Sequence, residues 1–367
     1  MKQKYIPFNV IEDFINKILI KAGVPANDAK IVGDVLINAD KYGFDSHGVN
    51  RLKPIYLDRV KDDILNTITN FEIVRESPTT AVIDGHNGLG HVVGYNSMKM
   101  AIDKAKTYGM GMVAVRNSTH YGFAGYYALM AIKEDMIGIT GTNARPSIAP
   151  TFGIENMLGT NPMTFGIPTD EKFPFLLDCA TSITQRGKIE LYAREDKMMP
   201  EGWVIDESGN PVTDPNEALD KISSDKAVLT PLGGTGEETG GYKGYGYATV
   251  VEILSAALQQ GAFLRMLLGK ENGRKIPYPL GHFFIAINIS AFTEPSDFKK
   301  TAGDILRELR ASKKMPGQNR IFTAGEKEYE ILMERKDKGV PFNEQLLQEY
   351  RELCVSYNLQ EFLHYFE

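Results

Sequence analysis

The chain is short of cysteine, tryptophan and histidine, with two, one and six of each among 367 residues. Two cysteines, Cys179 and Cys354, cannot build a disulfide framework, and so low a usage fits a reducing compartment. No run approaches the ~18 consecutive apolar residues of a membrane span, and Met1 to Val10 carries no apolar secretory core. A cytoplasmic location is therefore expected. Basic excess is missing too: 41 Lys and Arg face 47 Asp and Glu, a formal net charge of -6. That balance argues against a nucleic-acid groove but not against a small anion held by a local cation. Familiar ligand-binding motifs are also absent. No G-x-G-x-x-G follows an early strand, since Gly109 and Gly111 have no third glycine at the right distance. No G-x-x-x-x-G-K-[ST] occurs either, so a Rossmann enzyme and a P-loop nucleotidase are disfavoured. Without H-E-x-x-H, C-x-x-C or a close His/Asp cluster, no metal is expected.

What is present is an ordinary globular composition, 43% hydrophobic and 24% charged, at a length that suits two or three domains. Apolar residues at helical spacing predict helices over 9–22 (capped by Asn9, with Ile11, Phe14, Ile15, Ile18 and Leu19 inward), 27–41 and 51–62. The pattern then mixes. Strands are expected at Phe71–Arg75, Thr80–Asp84, Met112–Arg116, Ile137–Thr140, Phe175–Asp178 and Phe283–Ile289, and helices over 94–108, 126–134 and 247–260. Residues 141–170 are rich in Gly, Pro, Asn and Thr and read as irregular backbone lining something. Residues 197–229 are polar, with turn signals. Amphipathic helices return at 296–310, 326–336 and 342–357. The ends are helical and the middle is mixed, which predicts an α/β protein: a helical domain built from both termini around an inserted dinucleotide-binding domain. The expected boundaries are 1–74, 75–300 and 301–367.

Two segments carry the chemistry. Asp45-Ser46-His47-Gly48-Val49-Asn50-Arg51 sets an imidazole and a guanidinium four residues apart. The imidazole suits proton transfer near neutral pH, and the guanidinium can grip a carboxylate through two parallel hydrogen bonds. Gly240-Gly241-Tyr242-Lys243-Gly244-Tyr245-Gly246 is a glycine-rich loop with one lysine, leading into an apolar helix. With the usual fingerprints missing, a nucleotide would rest on loop amides and Lys243. His120 follows a strand and precedes Gly122 and Gly125, a placement common for ligand contacts. Asp178 ends a strand, where a carboxylate can bond a ribose hydroxyl, orient an imidazole or cap a helix. Cys179 lacks an adjacent base and is a poor nucleophile. His86 and His91 read as structural loop residues, and His282 and His364 have no supporting context.

Five segments occur in a recognisable order: Asp45–Arg51, Arg116-Asn117-Ser118-Thr119-His120-Tyr121-Gly122, Gly159-Thr160-Asn161-Pro162, Asp178-Cys179-Ala180-Thr181-Ser182 and Gly241-Tyr242-Lys243-Gly244. In these the chain resembles the malate/L-lactate dehydrogenase family that is unrelated to the Rossmann lactate and malate dehydrogenases. The resemblance spans about residues 10 to 320. It implies a non-Rossmann fold that binds NAD or NADP on a mixed, largely antiparallel sheet, in a homodimer with its active site near the subunit interface. It also implies His47 as proton donor and acceptor and Arg51 as the carboxylate ligand. Contacts to the cofactor are implied for His120, for Asp178, Cys179 and Ala180, for Tyr242 and Lys243, and for Gly317 and Gln318. At that last turn the family often has Pro-Gly-Glu where this chain has Pro316-Gly317-Gln318. The expected substrate is a small 2-hydroxy or 2-oxo acid, malate first. Another 2-oxo acid or an imine, of the lactate, ureidoglycolate or diketogulonate type, is the alternative.

Overall fold

The computed structural model describes residues 3–367. In chain order, strand β1 (Lys4–Ile6) leads into helices α1 (Phe8–Lys21) and α2 (Ala26–Lys41). Residues 45–57 then wind as two short 3-10 turns and a wide π turn before α3 (Asp58–Lys61). Strands β2 (Glu72–Glu76) and β3 (Thr80–Asp84), helix α4 (Gly90–Tyr108), β4 (Met110–Ser118), α5 (Ala124–Ile132), β5 (Met136–Thr142), β6 (Met163–Ile167) and β7 (Phe175–Cys179) follow. Next come α6 (Arg186–Arg194), β8 (Val204–Asp206), α7 (Pro215–Ser223), β9 (Ala227–Leu229) and α8 (Gly241–Ala256). The chain closes through β10 (Lys270–Glu271), β11 (Arg274–Lys275), β12 (Leu280–Asn288), α9 (Pro295–Ala311), α10 (Glu326–Arg335), β13 (Val340–Phe342), α11 (Glu344–Ser356) and α12 (Leu363–Phe366).

The main sheet has seven strands in the order β2-β3-β4-β12-β5-β6-β7. Among the described residues only β3 and β4 pair in parallel, and every other neighbouring pair is antiparallel. Counting direction across the sheet, β4 and β7 point the same way, so the loops that follow them open at one end. Side chains alternate between faces along a strand. Phe284 and Ala286 of β12 pack with Met98, Ala101 and Tyr127 of α4 and α5 on one face. On the other face Gly281 lies against the carbonyl of Ser255 in α8, where a Cβ would overlap it.

The two chain ends share a core. The Phe14 ring of α1 packs tilted on Tyr350 and edge-on to Phe362 and Phe366, with centroids 5.1–5.4 Å apart, and β1 pairs antiparallel with β13, Ile6 opposite Val340. Aromatic contacts of this kind add about 0.5–1.5 kcal/mol each beyond buried area.

Several expectations need correcting. The helix over 51–62 is a sequence of 3-10 and π turns until Asp58, since buried Leu52, Tyr56 and Leu57 must all reach one core and an even α-helix would spread them. Asn9 is not a cap: Pro7, with its fixed φ, precedes the first turn. Residues 141–170 hold β6, whose Thr164 and Gly166 face inward, and 197–229 hold β8, α7 and β9. Helix α8 starts at Gly241, because Gly241 and Gly244 press on the backbone of Gly234 and Leu232. The segment from 342 is a strand end followed by α11, capped by the Asn343 side chain on the Leu346 amide.

Candidate active site

At the common end of β4 and β7 lies a cleft of about 460 Å³. It is lined from three directions: His47 and Arg51 from the turns after α2, His120 from the loop after β4, and Asp178, Cys179 and Ala180 from the end of β7. The first turns of α5 and α6 close it with Ala124 and with Gln185, Arg186 and Gly187.

The His47 turn is held from beneath. Buried Asp40 of α2 accepts a hydrogen bond from the Val49 amide at 2.8 Å. A Cβ on Gly48 would sit 2.2–2.3 Å from that carboxylate, so only glycine lets the turn close over it. Burial drives the Asp40 carboxyl well above its usual range, against the pull of Arg335. Arg335 donates to the Asp40 carbonyl at 2.5 Å and pairs with Asp45, tying α10 to the loop. Arg51 turns back on the carbonyl of Ser46, which leaves its other nitrogens for the cleft.

His47 Nδ1 lies 2.8 Å from Ser46 Oγ. The residue is half-buried and lines the cleft. Burial, then repulsion from Arg51, pushes the imidazole down to about 4, so it is neutral near pH 7. His120 stacks nearly parallel to it, centroids 5.7 Å apart and planes 13° apart, and burial holds that ring neutral as well.

Asp178 takes the capping option across space. One oxygen accepts the Gly125 amide of the first turn of α5 at 2.7 Å and the other the Thr164 hydroxyl at 2.9 Å. Burial nevertheless pushes it up to about 6. The Cys179 thiol is pushed up by burial and by Asp178, consistent with a poor nucleophile.

Thus His47, Arg51, His120, Asp178, Cys179 and Ala180 come together. Tyr242 and Lys243 do not line the cleft. They lie at the exposed start of α8, Lys243 over the ring of Tyr242 at 5.7 Å. They are joined to the cleft wall through backbone: Gly244 packs on Leu232, and the Leu232 amide donates to Thr181 O, beside Ala180. Gly317 and Gln318 sit in an exposed turn between α9 and α10 and do not line the cleft. Sequence reasoning missed the use of Tyr56, which it placed on an apolar stripe, and of Thr164 and Gln185. His91 is not a loop residue but a buried member of the first turn of α4. Among the described residues no group of three His, Cys, Asp or Glu side chains is placed to hold a metal, and no helix is long and apolar enough to cross a membrane.

The family model described as malate/L-lactate dehydrogenase matches residues 6–351. A malate dehydrogenase of Pyrococcus horikoshii is 45% identical over 350 residues, 95% of this chain and 94% of that one. An L-sulfolactate dehydrogenase of Methanocaldococcus jannaschii is 40% identical, over 94% of this chain and 96% of its own. Among solved structures, malate dehydrogenase from Entamoeba histolytica superposes with a TM-score of 0.93 at 47% identity, covering 97% of this chain and 99% of that one.

Proposed function

Because the chain belongs to the malate/L-lactate dehydrogenase family, we propose that it exchanges a hydride between a nicotinamide dinucleotide, NAD or NADP, and a small 2-hydroxy acid, with malate as the substrate. The observation that carries the reading is the convergence of His47, Arg51, His120 and Asp178 on one cleft. The names of the Pyrococcus and Entamoeba relatives support malate.

The cleft suits such a cofactor. At its rim the first turn of α6 has no side-chain cap, and a Cβ on Gly187 would meet nothing within 4 Å. Open amides at a helix start beside Arg186 are what a phosphate needs. In this reading Asp178, Cys179, Ala180 and His120 hold the nicotinamide end, on a mixed sheet rather than a Rossmann one. Tyr242, Lys243, Gly317 and Gln318 meet the remainder. The bound cofactor supplies the hydride acceptor or donor.

The chain's own groups do the rest. Arg51 grips the carboxylate and sets the reacting carbon in place. With Nδ1–H donated to Ser46 Oγ, His47 presents a lone pair at Nε2 and takes the hydroxyl proton there. In reduction it returns a proton to the new alkoxide. A carboxylate on Arg51 offsets the repulsion that lowers His47, so substrate binding raises the affinity of the imidazole for that proton.

We also read the face of α8 as the contact between two copies. Its outer side chains Tyr247, Val250 and Ile253 are 46–55% exposed, on a helix that is apolar on its inner face as well. A helix apolar all round is normally covered. The two chain ends form the helical domain and residues 75–300 the cofactor domain.

The test is a panel of 2-hydroxy acids offered with NAD and with NADP, read at the nicotinamide absorbance. Malate is expected to lead. Sulfolactate, which names the Methanocaldococcus relative, replaces one carboxylate with a sulfonate of the same charge and is the second reading. Lack of turnover with every 2-hydroxy acid, and lack of dinucleotide binding, would end both.

A further inference from the structure

His120 lines the cleft, and two donors reach one nitrogen of its ring. The Tyr56 hydroxyl is 2.6 Å from Nδ1, and the Gly122 amide is 3.3 Å from the same atom. An amide N–H can only donate, so the long Gly122 contact favours a lone pair at Nδ1, and the phenol at the shorter distance then donates to the same lone pair. The ring nitrogen left over, Nε2, then carries the hydrogen.

The two donors have a common support. His91 is fully buried and its ring packs against Tyr56 at 4.6 Å between centroids. Gly122 has φ +75, and a Cβ there would lie 2.7 Å from His91 Nε2. Backbone and phenol are therefore both seated on the His91 ring; Gly122 belongs to the cleft wall beside His120, and Tyr56 and His91 do not line the cleft.

We propose that Tyr56 is a positioning residue: with the Gly122 amide it fixes His120 in the tautomer protonated at Nε2, so that His120 offers a hydrogen-bond donor to the cleft. Its catalytic consequence rests on the active-site reading above. A neutral imidazole donor of this kind can polarise a substrate carbonyl without giving up its proton. It also divides the work between the stacked rings, His120 donating a hydrogen bond while His47 exchanges the proton. Tyr56 itself is too deep to touch substrate, being fully buried with its hydroxyl driven above its ordinary value by burial.

The full chain labelled with 15N-histidine tests this by long-range proton–nitrogen correlation, with the His120 signals identified by their loss in His120→Asn. The wild type is expected to show Nδ1 unprotonated and Nε2 protonated near pH 7. Tyr56→Phe keeps the ring on His91 and is expected to mix the two tautomers. Carbonyl reduction is expected to slow about tenfold, the size of one lost hydrogen bond, with little change in KM for the acid. Should Tyr56→Phe not fold, the chain grown with 3-fluorotyrosine replaces it: the more acidic phenol donates more strongly and must move the Nδ1 signal. A hydrogen found on Nδ1 in the wild type overturns the proposal. So does an unchanged His120 spectrum in Tyr56→Phe, or in the fluorinated chain. Because the spectra need no turnover, the tautomer can stand even where the 2-hydroxy acid panel fails, and the reverse.

Discussion

The hollow along α8 is the roomier of two, about 700 Å³ against about 460 Å³ for the cleft beside His47, yet the titratable groups divide the other way. The α8 hollow is lined by Ile253, Ala256, Ala257, Phe263 and Leu264, and its one carboxylate, Glu252, is turned inward. Glu252 accepts from Asn161 Nδ2 and from the Leu264 amide, both at 2.8 Å. The cleft holds two imidazoles, two guanidinium groups and a carboxylate, and both imidazoles and the carboxylate are shifted by burial. Volume follows from an unpaired apolar face. Reactivity follows from polar groups held in place by buried partners.

The comparison breaks if the cleft tolerates loss of its imidazole. His47→Ala is expected to lower kcat for malate oxidation by about 10³-fold, within the usual contribution of an acid–base group, with dinucleotide affinity unchanged by fluorescence titration. Arg51→Leu is expected to cost about 10²-fold in kcat/KM, mostly as KM, the size of a hydrogen-bonded charge contact. Since Arg51 is the second cause of the low His47 value, the acid limb of kcat/KM, near pH 4 in the wild type, should move up in this variant. An unmoved limb would mean that another group sets it.

A third ring separates burial from the cleft. His91 is enclosed, with no hydrogen-bond partner among the described residues, and burial alone pushes it from 6.5 to about 3. Between those values the unfolded chain binds the proton and the folded chain does not, so stability rises with pH across this window and falls on acidification. His91→Leu removes that contribution. From about pH 7 to about pH 4.5 the variant should gain roughly 2–3 kcal/mol relative to wild type, read by urea unfolding at both values. A constant difference would contradict the buried neutral ring. The smallest effect on chemistry belongs to the other hollow. Ile253→Glu should halve the mass seen by light scattering while lowering turnover less than either cleft variant. An unchanged mass would remove α8 from the contact between copies.

Much of this was legible in the sequence, for identifiable reasons. Residues 9–22 and 27–41 carry their apolar stripes in plain sight, and Phe14, Val32 and Leu36 are indeed buried. Strands with β-branched runs, such as Thr80–Asp84, were found to the residue. The order of the His47, His120 and Asp178 segments pointed to residues that the fold brings to one cleft. What was hidden depends on contacts distant in sequence. Strand β6 was masked by Gly166 and by the Gly, Pro and Asn around it; Gly166 suits the strand because α5 lies against it, and Thr164 beside it bonds Asp178. Tyr56 looked like one more apolar position, since its hydroxyl has a purpose only once His120, 64 residues on, is beside it. The reason for Gly48 could not be read from its neighbours: it is glycine because Asp40 leaves no room for a Cβ.

The most direct trial of the account is malate oxidation by His47→Ala in rising concentrations of free imidazole. A small base diffusing into the emptied site should restore turnover in proportion to its neutral form, from a nearly inactive baseline. Oxidation at the wild-type rate with no imidazole present would show that the proton leaves by another route.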